Sequence, residues 1–131
     1  MGSTERRPII PERAAKPIGP YSPGIRSGNL VFVSGTIGID PSSGAMVEGG
    51  VASETRQILR NLQTVLEAAG SSLDQVVKTT VFMLDLKQFA TMNEVYAVAF
   101  SGAPPARSTV QVAGLPGGAS VEIEAIAIAN G

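Results

Sequence analysis

The sequence predicts an α+β fold, in which a mixed β-sheet carries two helices packed on one of its faces. Two observations lead to this prediction. Runs rich in β-branched residues alternate with runs whose apolar residues recur at helical spacing, in the order strand, helix, strand, helix, strand, strand. The two strand–helix–strand units are crossover connections, which share one hand and therefore place both helices on the same side of the sheet. At 131 residues the chain fits one domain.

The first long strand is predicted at residues 30–37. It follows a segment rich in proline, glycine and serine at 14–29, and we expect one or two short strands from the N-terminal segment before it. Alternation in the long strand places four side chains on one face: Leu30, Phe32, Ser34 and Thr36. Gly35 interrupts the strand, which indicates a bulge or a close approach of another group to the backbone.

Two helices are predicted, at residues 51–69 and 86–100. The first ends before Gly70, a residue type that commonly terminates helices. The second has an inward apolar stripe made of Phe89, Met92, Tyr96 and Phe100. Asn93 lies one turn after Phe89. Because asparagine is a weak helix former, we expect Asn93 to have a hydrogen-bonding task, either to neighbouring backbone or to a ligand.

The remaining strands are predicted at residues 76–84, 107–113 and 121–129. Period-two geometry places Arg107 and Thr109 on the same face of their strand. In the last strand Glu122 and Glu124 share a face, and they are carboxylates in an otherwise apolar segment. A carboxylate there would either close a structural ion pair or handle a proton at the rim of a pocket.

Arg107 is the only charged residue between Glu94 and Glu122. Its guanidinium group presents a planar fork of donors that matches a carboxylate and stays protonated at working pH. Arg107 is therefore the first candidate for a ligand anchor. The alternative is a structural ion pair with Glu122 or Glu124, and the single residue leaves both open.

The composition excludes several classes of site. Because the chain has neither cysteine nor histidine, it has no disulfide, thiolate nucleophile, Cys/His zinc site or Ser-His-acid triad, and we expect neither a metal nor a cofactor. The net charge of −1 predicts no nucleic-acid partner. No apolar run is long enough to span a membrane, and we expect a cytoplasmic protein. Charged residues are only 16% of the chain, so we also expect apolar surface to be buried between subunits.

A set of motifs spread over residues 18–128 resembles the RidA (YjgF) family of reactive-intermediate deaminases. The matching segments are Ile18-Gly19-Pro20-Tyr21-Ser22, Val33-Ser34-Gly35, Asp40-Pro41 with Gly44, Val77-Lys78-Thr79-Thr80-Val81-Phe82, Thr91-Met92-Asn93-Glu94-Val95-Tyr96, Pro105-Ala106-Arg107-Ser108, Leu115-Pro116 and Val121-Glu122-Ile123-Glu124-Ala125. We expect residues 14–131 to form a single RidA-like domain. Residues 1–13 would be a leader, whose Met1-Gly2-Ser3 start is typical of an expression remnant.

The resemblance implies a chorismate-mutase-like (YjgF-like) fold, assembled as a homotrimer with sites between subunits. It also implies hydrolysis of 2-imino acids, the tautomers of enamines such as 2-aminoacrylate, to 2-keto acids and ammonia. By this resemblance Arg107 binds the substrate carboxylate and Glu122 positions or activates the water. The residues expected to shape the cleft are Tyr21, Ser34, Gly35, Asn93 and Thr109.

The sequence departs from the family pattern at two positions expected to face the cleft. Thr36 stands where many members have glutamine, and Thr109 stands where some have cysteine, so the substrate range is open. Two other functions are also open. One is a non-catalytic sensor that binds a small carboxylate such as a 2-keto acid, and the other is an endoribonuclease or translation inhibitor. The second is disfavoured because the chain has no histidine and no basic groove with stacking aromatics.

Overall fold

The structure is a computed structural model that describes residues 5–130. The helices are α1 (Gly50–Ala68) and α2 (Phe89–Ala99), and a short 3-10 turn at Leu86–Gln88 leads into α2. The strands are β1 (Arg6–Ile9), β2 (Gly24–Ser27), β3 (Leu30–Thr36), β4 (Ile39–Asp40), β5 (Ala45–Met46), β6 (Val76–Met83), β7 (Ala106–Gln111) and β8 (Val121–Ile128). All six predicted long elements are confirmed, as are the short strands that precede them.

Six strands form one sheet in the order β1-β2-β3-β8-β6-β7, and β4 pairs with β5 as a separate hairpin. Only β6 and β7 run parallel, whereas every other neighbouring pair in the large sheet is antiparallel. The predicted mixed sheet with two helices on one face is therefore confirmed. β1 joins the sheet edge through β2, so part of the predicted leader is held by backbone pairing.

The core lies between the two helices and one face of the sheet. Buried side chains of α1 and α2 meet the buried alternate residues of β3, β6 and β8, including Val31, Val81 and Ile123. Gly70 follows α1 with a φ of 81°, a left-handed conformation that glycine adopts without strain, so the predicted terminator is confirmed.

Among residues 5–130, no helix covers the opposite face of the sheet. Three large apolar side chains on it are about two-fifths exposed in the isolated chain: Leu30 at 39%, Phe32 at 42% and Ile128 at 44%. These side chains form an apolar surface on the side of the sheet away from the core. Within residues 5–130, neither helix combines the length and the apolarity that crossing a membrane would require.

Two expectations about individual side chains are wrong. The register between β3 and β8 shifts between Val33 and Thr36, so that Thr36 pairs with Ile123, which faces the core. The extra residue breaks the alternation that would place Thr36 on the same strand face as Ser34, although Thr36 and Ser34 still line the same cavity. Phe89 does not complete the buried stripe of α2, because it is 39% exposed whereas Met92, Tyr96 and Phe100 are buried.

Candidate active site

Arg107 lies on β7, at the edge of the sheet, and its side chain points toward α2. Its register partner on β6 is Thr79, a buried residue on the core side, and paired residues of neighbouring strands share a face. The guanidinium carbon of Arg107 lies 4.8 Å from the centre of the Tyr96 ring and 5.4 Å from the centre of the Phe89 ring. Both distances are within the range of cation–π attraction.

Within residues 5–130, the guanidinium group of Arg107 has no hydrogen-bond or ion-pair partner. The alternative of an ion pair with Glu122 or Glu124 is therefore wrong for the single chain. Two aromatic faces hold the cation, and the in-plane N–H groups are free to bind a ligand.

Two other predicted residues lie near Arg107. Thr109 is two residues further along β7 and pairs with Val81, so it shares the face of Arg107. Asn93 is one turn after Phe89 on α2 and one turn before Tyr96, the two residues whose rings contact the guanidinium group. Among the described residues, neither side chain has a hydrogen-bond partner. Because Thr109 shares the strand face of Arg107, and Asn93 lies on α2 between Phe89 and Tyr96, we call Arg107, Thr109 and Asn93 the β7–α2 group.

Glu122 lies on β8 and packs against the irregular part of β3. Its carboxylate is so close to Gly35 that a β-carbon added to Gly35 would stand 2.7 Å from Glu122 Oε2. The interpretation of Gly35 as a bulge or a point of close approach is confirmed, and the group that approaches is the Glu122 carboxylate. Burial raises the pKa of Glu122 above its ordinary value of 4.5, and the neighbouring charge of Glu124 acts in the same direction.

Ser34 and Tyr21 adjoin this contact. The Ser34 hydroxyl donates a hydrogen bond of 2.6 Å to the carbonyl of Ser22, and the Ser34 N–H donates one of 2.9 Å to the carbonyl of Pro23. These bonds fasten the loop that carries the half-exposed Tyr21 to β3. Tyr21, Ser34 and Gly35 line one cavity of about 110 Å³. The same cavity is lined by Asn61 and Val65 of α1, and Glu122 is not among its lining residues. Because the Glu122 carboxylate contacts Gly35, we group Tyr21, Ser34, Gly35 and Glu122 and call them the β3–β8 group.

The two groups lie apart in one chain. Arg107 faces α2, whereas Glu122 pairs with Phe82 on the helix-free side of the sheet. β6 separates β7 from β8, and the register places Glu122 three residues beyond the level of Arg107, so their Cα atoms are roughly 14 Å apart by strand geometry. A single chain therefore does not present Arg107 and Glu122 to the same small ligand.

Sequence reasoning missed two kinds of residue at these groups. The sequence predicts Phe89 and Tyr96 only as members of the apolar stripe of α2, although their seven-residue spacing places both on one face of the helix and is compatible with a shared task. Arg13 and Lys16 also line the cavity beside Tyr21. Arg13 ends the predicted leader, and Lys16 lies in the segment rich in proline, glycine and serine that follows it. Among residues 5–130, no three His, Cys, Asp or Glu side chains are grouped so as to hold a metal ion.

Comparison with known proteins shows which family this chain resembles. The sequence pattern of the family described as endoribonuclease L-PSP matches residues 11–129. The 2-iminobutanoate/2-iminopropanoate deaminase of Mus musculus is 48% identical over 128 residues, which cover 98% of this chain and 95% of the mouse protein.

Solved structures agree in fold. The crystal structure of the Escherichia coli YjgF gene product matches with a TM-score of 0.88 and 42% identity, over 95% of this chain and 99% of that one. The structure of Escherichia coli TdcF with bound serine also has a TM-score of 0.88, with 41% identity and the same coverage. With this sequence identity over nearly the whole length of both chains, and with the same sheet and helices, the protein belongs to the RidA/YjgF (endoribonuclease L-PSP) family.

Proposed function

We propose that this protein hydrolyses reactive enamine and imine intermediates, namely 2-aminoacrylate with its tautomer 2-iminopropanoate and similar 2-imino acids, to 2-keto acids and ammonia. The name of the mouse relative supports this substrate class. The observation that carries the proposal is the guanidinium group of Arg107, which aromatic rings hold in place while its N–H donors have no partner among the described residues. Such a group suits the carboxylate that every 2-imino acid carries.

The chemistry needs little beyond orientation and one proton acceptor. Water adds to the imine carbon to give a carbinolamine, and the C–N bond then breaks to leave the keto acid and ammonia. Arg107 binds the substrate carboxylate, while Glu122 accepts a proton from the attacking water and passes it to the imine nitrogen. As the C–N bond breaks, Glu122 transfers the hydroxyl proton of the carbinolamine to the same nitrogen, so that both protons of the water leave with ammonia. The raised pKa of Glu122 favours this role, because a carboxyl with a higher pKa is a stronger base once ionised. Tyr21, Ser34 and the backbone of Gly35 border the water side, with Asn93 and Thr109 beside Arg107.

The site is completed between subunits. Arg107 and Glu122 face opposite sides of the sheet, so a cleft that uses both takes Arg107 from one copy and Glu122 from a neighbour. The apolar surface around Phe32 and Ile128 on the helix-free face offers the contact that would join the copies. We infer a homotrimer with three such clefts, as the family resemblance implies. A cytoplasmic location stays a prediction.

A binding sensor for small carboxylates is the second candidate. The Escherichia coli TdcF structure contains bound serine, a small molecule with a carboxylate, and this favours ligand binding at a related site. The two candidates share Arg107 but differ at Glu122. If Glu122→Gln retains binding of a 2-keto acid and loses turnover, the protein is an enzyme. If the native protein binds a keto acid and releases no ammonia from 2-iminopropanoate, it is a sensor.

The direct test compares native protein with Arg107→Ala, by following ammonia release from freshly generated 2-aminoacrylate. Two charge-assisted hydrogen bonds would be lost, so we expect kcat/KM to fall by about 100-fold or more. Arg56→Ala is the matched control, since Arg56 is an exposed arginine on α1 and its variant should match the native rate. Equal rates for native protein and Arg107→Ala would contradict the proposal.

A further inference from the structure

We propose that Phe89 and Tyr96 form an aromatic seat that orients Arg107 without neutralising its charge, which makes both of them positioning residues for substrate binding. This inference rests on the proposed function, because it assumes that Arg107 binds the substrate carboxylate. It adds two residues to the site and explains how this arginine is held without an acidic partner among residues 5–130.

The seat is built from one face of α2. Phe89 and Tyr96 are seven residues apart, about two helical turns, so their side chains lie on the same face. The guanidinium carbon of Arg107 is 5.4 Å from the Phe89 ring centre and 4.8 Å from the Tyr96 ring centre. The cation thus contacts both rings.

The Tyr96 ring is fixed from behind. Its hydroxyl oxygen lies 2.7 Å from the hydroxyl oxygen of Thr79, in a buried hydrogen bond, and its ring packs against Phe100 at 4.6 Å between centres. Thr79 is also the register partner of Arg107 in the sheet. Thr79 therefore pairs with the backbone of Arg107 and also hydrogen-bonds Tyr96, whose ring contacts the Arg107 side chain. Through Thr79 the backbone of Arg107 and the ring of Tyr96 are fixed relative to each other.

Aromatic support has a different chemical consequence from acidic support. A carboxylate would hold the guanidinium group by occupying its in-plane N–H donors, and it would cancel the positive charge. The face of an aromatic ring attracts the cation without using those donors. An incoming carboxylate then meets an uncompensated charge and a side chain that has already lost part of its rotamer freedom, which reduces the entropy cost of binding.

Phe89 shows this role most clearly, since the core does not account for it. It is 39% exposed, whereas the other three residues of the predicted apolar stripe are buried. A large aromatic side chain in that position covers little of the core, yet its ring lies against the only charged side chain of β7. Exposure also makes Phe89 the better position to vary, because its replacement leaves the core packing intact.

The test uses Phe89→Leu and Phe89→Met, with freshly generated 2-aminoacrylate as substrate and KM and kcat measured separately. Loss of one cation–π contact should raise KM by about 2- to 30-fold, while kcat changes little because Glu122 and its surroundings are untouched. Phe89→Tyr keeps the ring and should restore a native KM. Val98→Ala, at a residue of α2 that is 80% exposed, is the control and should be native in both parameters.

Either of two results would overturn the seat: a native KM in both Phe89→Leu and Phe89→Met, or a KM in Phe89→Tyr as high as in Phe89→Leu. Urea unfolding of each variant, run in parallel, measures whether the substitution destabilises the fold. A higher KM in a variant whose free energy of unfolding is native reflects the lost ring and not a loosened fold. The result for Arg107→Ala separates this inference from the proposed function. If Arg107→Ala loses activity and the Phe89 variants do not, the seat is wrong and the carboxylate anchor stands. If Arg107→Ala is fully active, the proposed function itself fails.

Discussion

The two groups of site residues hold opposite charges in opposite ways. In the β7–α2 group, Arg107 rests on two neutral rings, and its hydrogen-bond donors have no partner among the described residues. In the β3–β8 group, the Glu122 carboxylate packs against the backbone at Gly35, and burial raises its pKa. The cation is kept charged and available to a ligand, whereas the carboxylate is partly desolvated and shifted toward its protonated form. These are the conditions that suit an anion anchor and a general base, respectively.

The largest effect should come from removing the carboxylate of the β3–β8 group. Glu122→Gln keeps the size of the side chain but cannot accept a proton, so we expect kcat to fall by about 10²- to 10⁴-fold. In native protein, activity should decline as pH falls through the pKa of Glu122, and this decline should lie above pH 4.5 because burial raises that pKa. A steady-state pH profile measures it, and the same acid decline in Glu122→Gln would assign it to another group.

Stability should respond to pH at the same carboxyl. The folded state keeps the Glu122 proton to higher pH than the unfolded chain does, since its folded pKa lies above the ordinary 4.5. The contribution of the native carboxyl, relative to Gln, is therefore fully present below pH 4.5 and is lost as pH rises through the raised pKa. Urea unfolding of native protein and Glu122→Gln across this window should show the native advantage shrinking with pH, and an advantage that grows would contradict the burial of this group.

A smaller effect should follow from crowding the carboxylate. In Gly35→Ala the new methyl group would stand 2.7 Å from Glu122 Oε2, so the flexible end of the glutamate must move. We expect activity to fall by about 10- to 100-fold while the fold persists, because displacing a catalytic group by roughly 1 Å can lower the rate by that much. Gly102→Ala is the matched control, because nothing lies within 4 Å of a β-carbon there. Native kcat/KM in Gly35→Ala would mean that the position of Glu122 against Gly35 does not matter.

The smallest effect is expected in the β7–α2 group, at a residue whose role the sequence left open. Asn93→Ala replaces a weak helix former with the strongest one, so the helix should gain about 0.5 kcal/mol of stability if Asn93 has no structural task. If its amide instead contacts the substrate, kcat/KM should fall by about 2- to 10-fold, the value of one neutral hydrogen bond. Urea unfolding and kinetics of Asn93→Ala, measured in parallel, give the direction of change in the free energy of unfolding and in kcat/KM. A less stable variant with native kinetics would assign Asn93 to structure.

The sequence was a good guide to the fold, because the fold depends on periodicity. The helix at α1 and the strands β3, β6, β7 and β8 were predicted with boundaries within about two residues of those observed, since their apolar residues repeat at unambiguous spacing. The side of Thr36 was mispredicted for a local reason. One extra residue at the β3 bulge reverses the alternation of side chains beyond it. Counting with a period of two does not detect an inserted residue, although Gly35 indicated a possible bulge at this position.

The site was predicted less completely than the fold. Each predicted site residue was identified from the residue types and from family resemblance, but the sequence did not place Arg107 relative to Glu122. That placement depends on strand order and register: β6 lies between β7 and β8, and pairing puts the two side chains on opposite faces. The support of Arg107 by Phe89 and Tyr96 was missed because it joins α2 to β7, a contact between elements that helical periodicity does not report.

The central claim is that one cleft takes Arg107 from one copy and Glu122 from another, and subunit mixing tests it most directly. Arg107→Ala and Glu122→Gln chains, each nearly inactive alone, would be unfolded together in equal amounts, refolded, and assayed for ammonia release from 2-aminoacrylate. If clefts are shared, chance assembly pairs an intact Arg107 with an intact Glu122 in about a quarter of the clefts, and activity should recover to about that fraction of native. If the mixture stays as inactive as its two components, Arg107 and Glu122 do not act across two copies, and the account is contradicted.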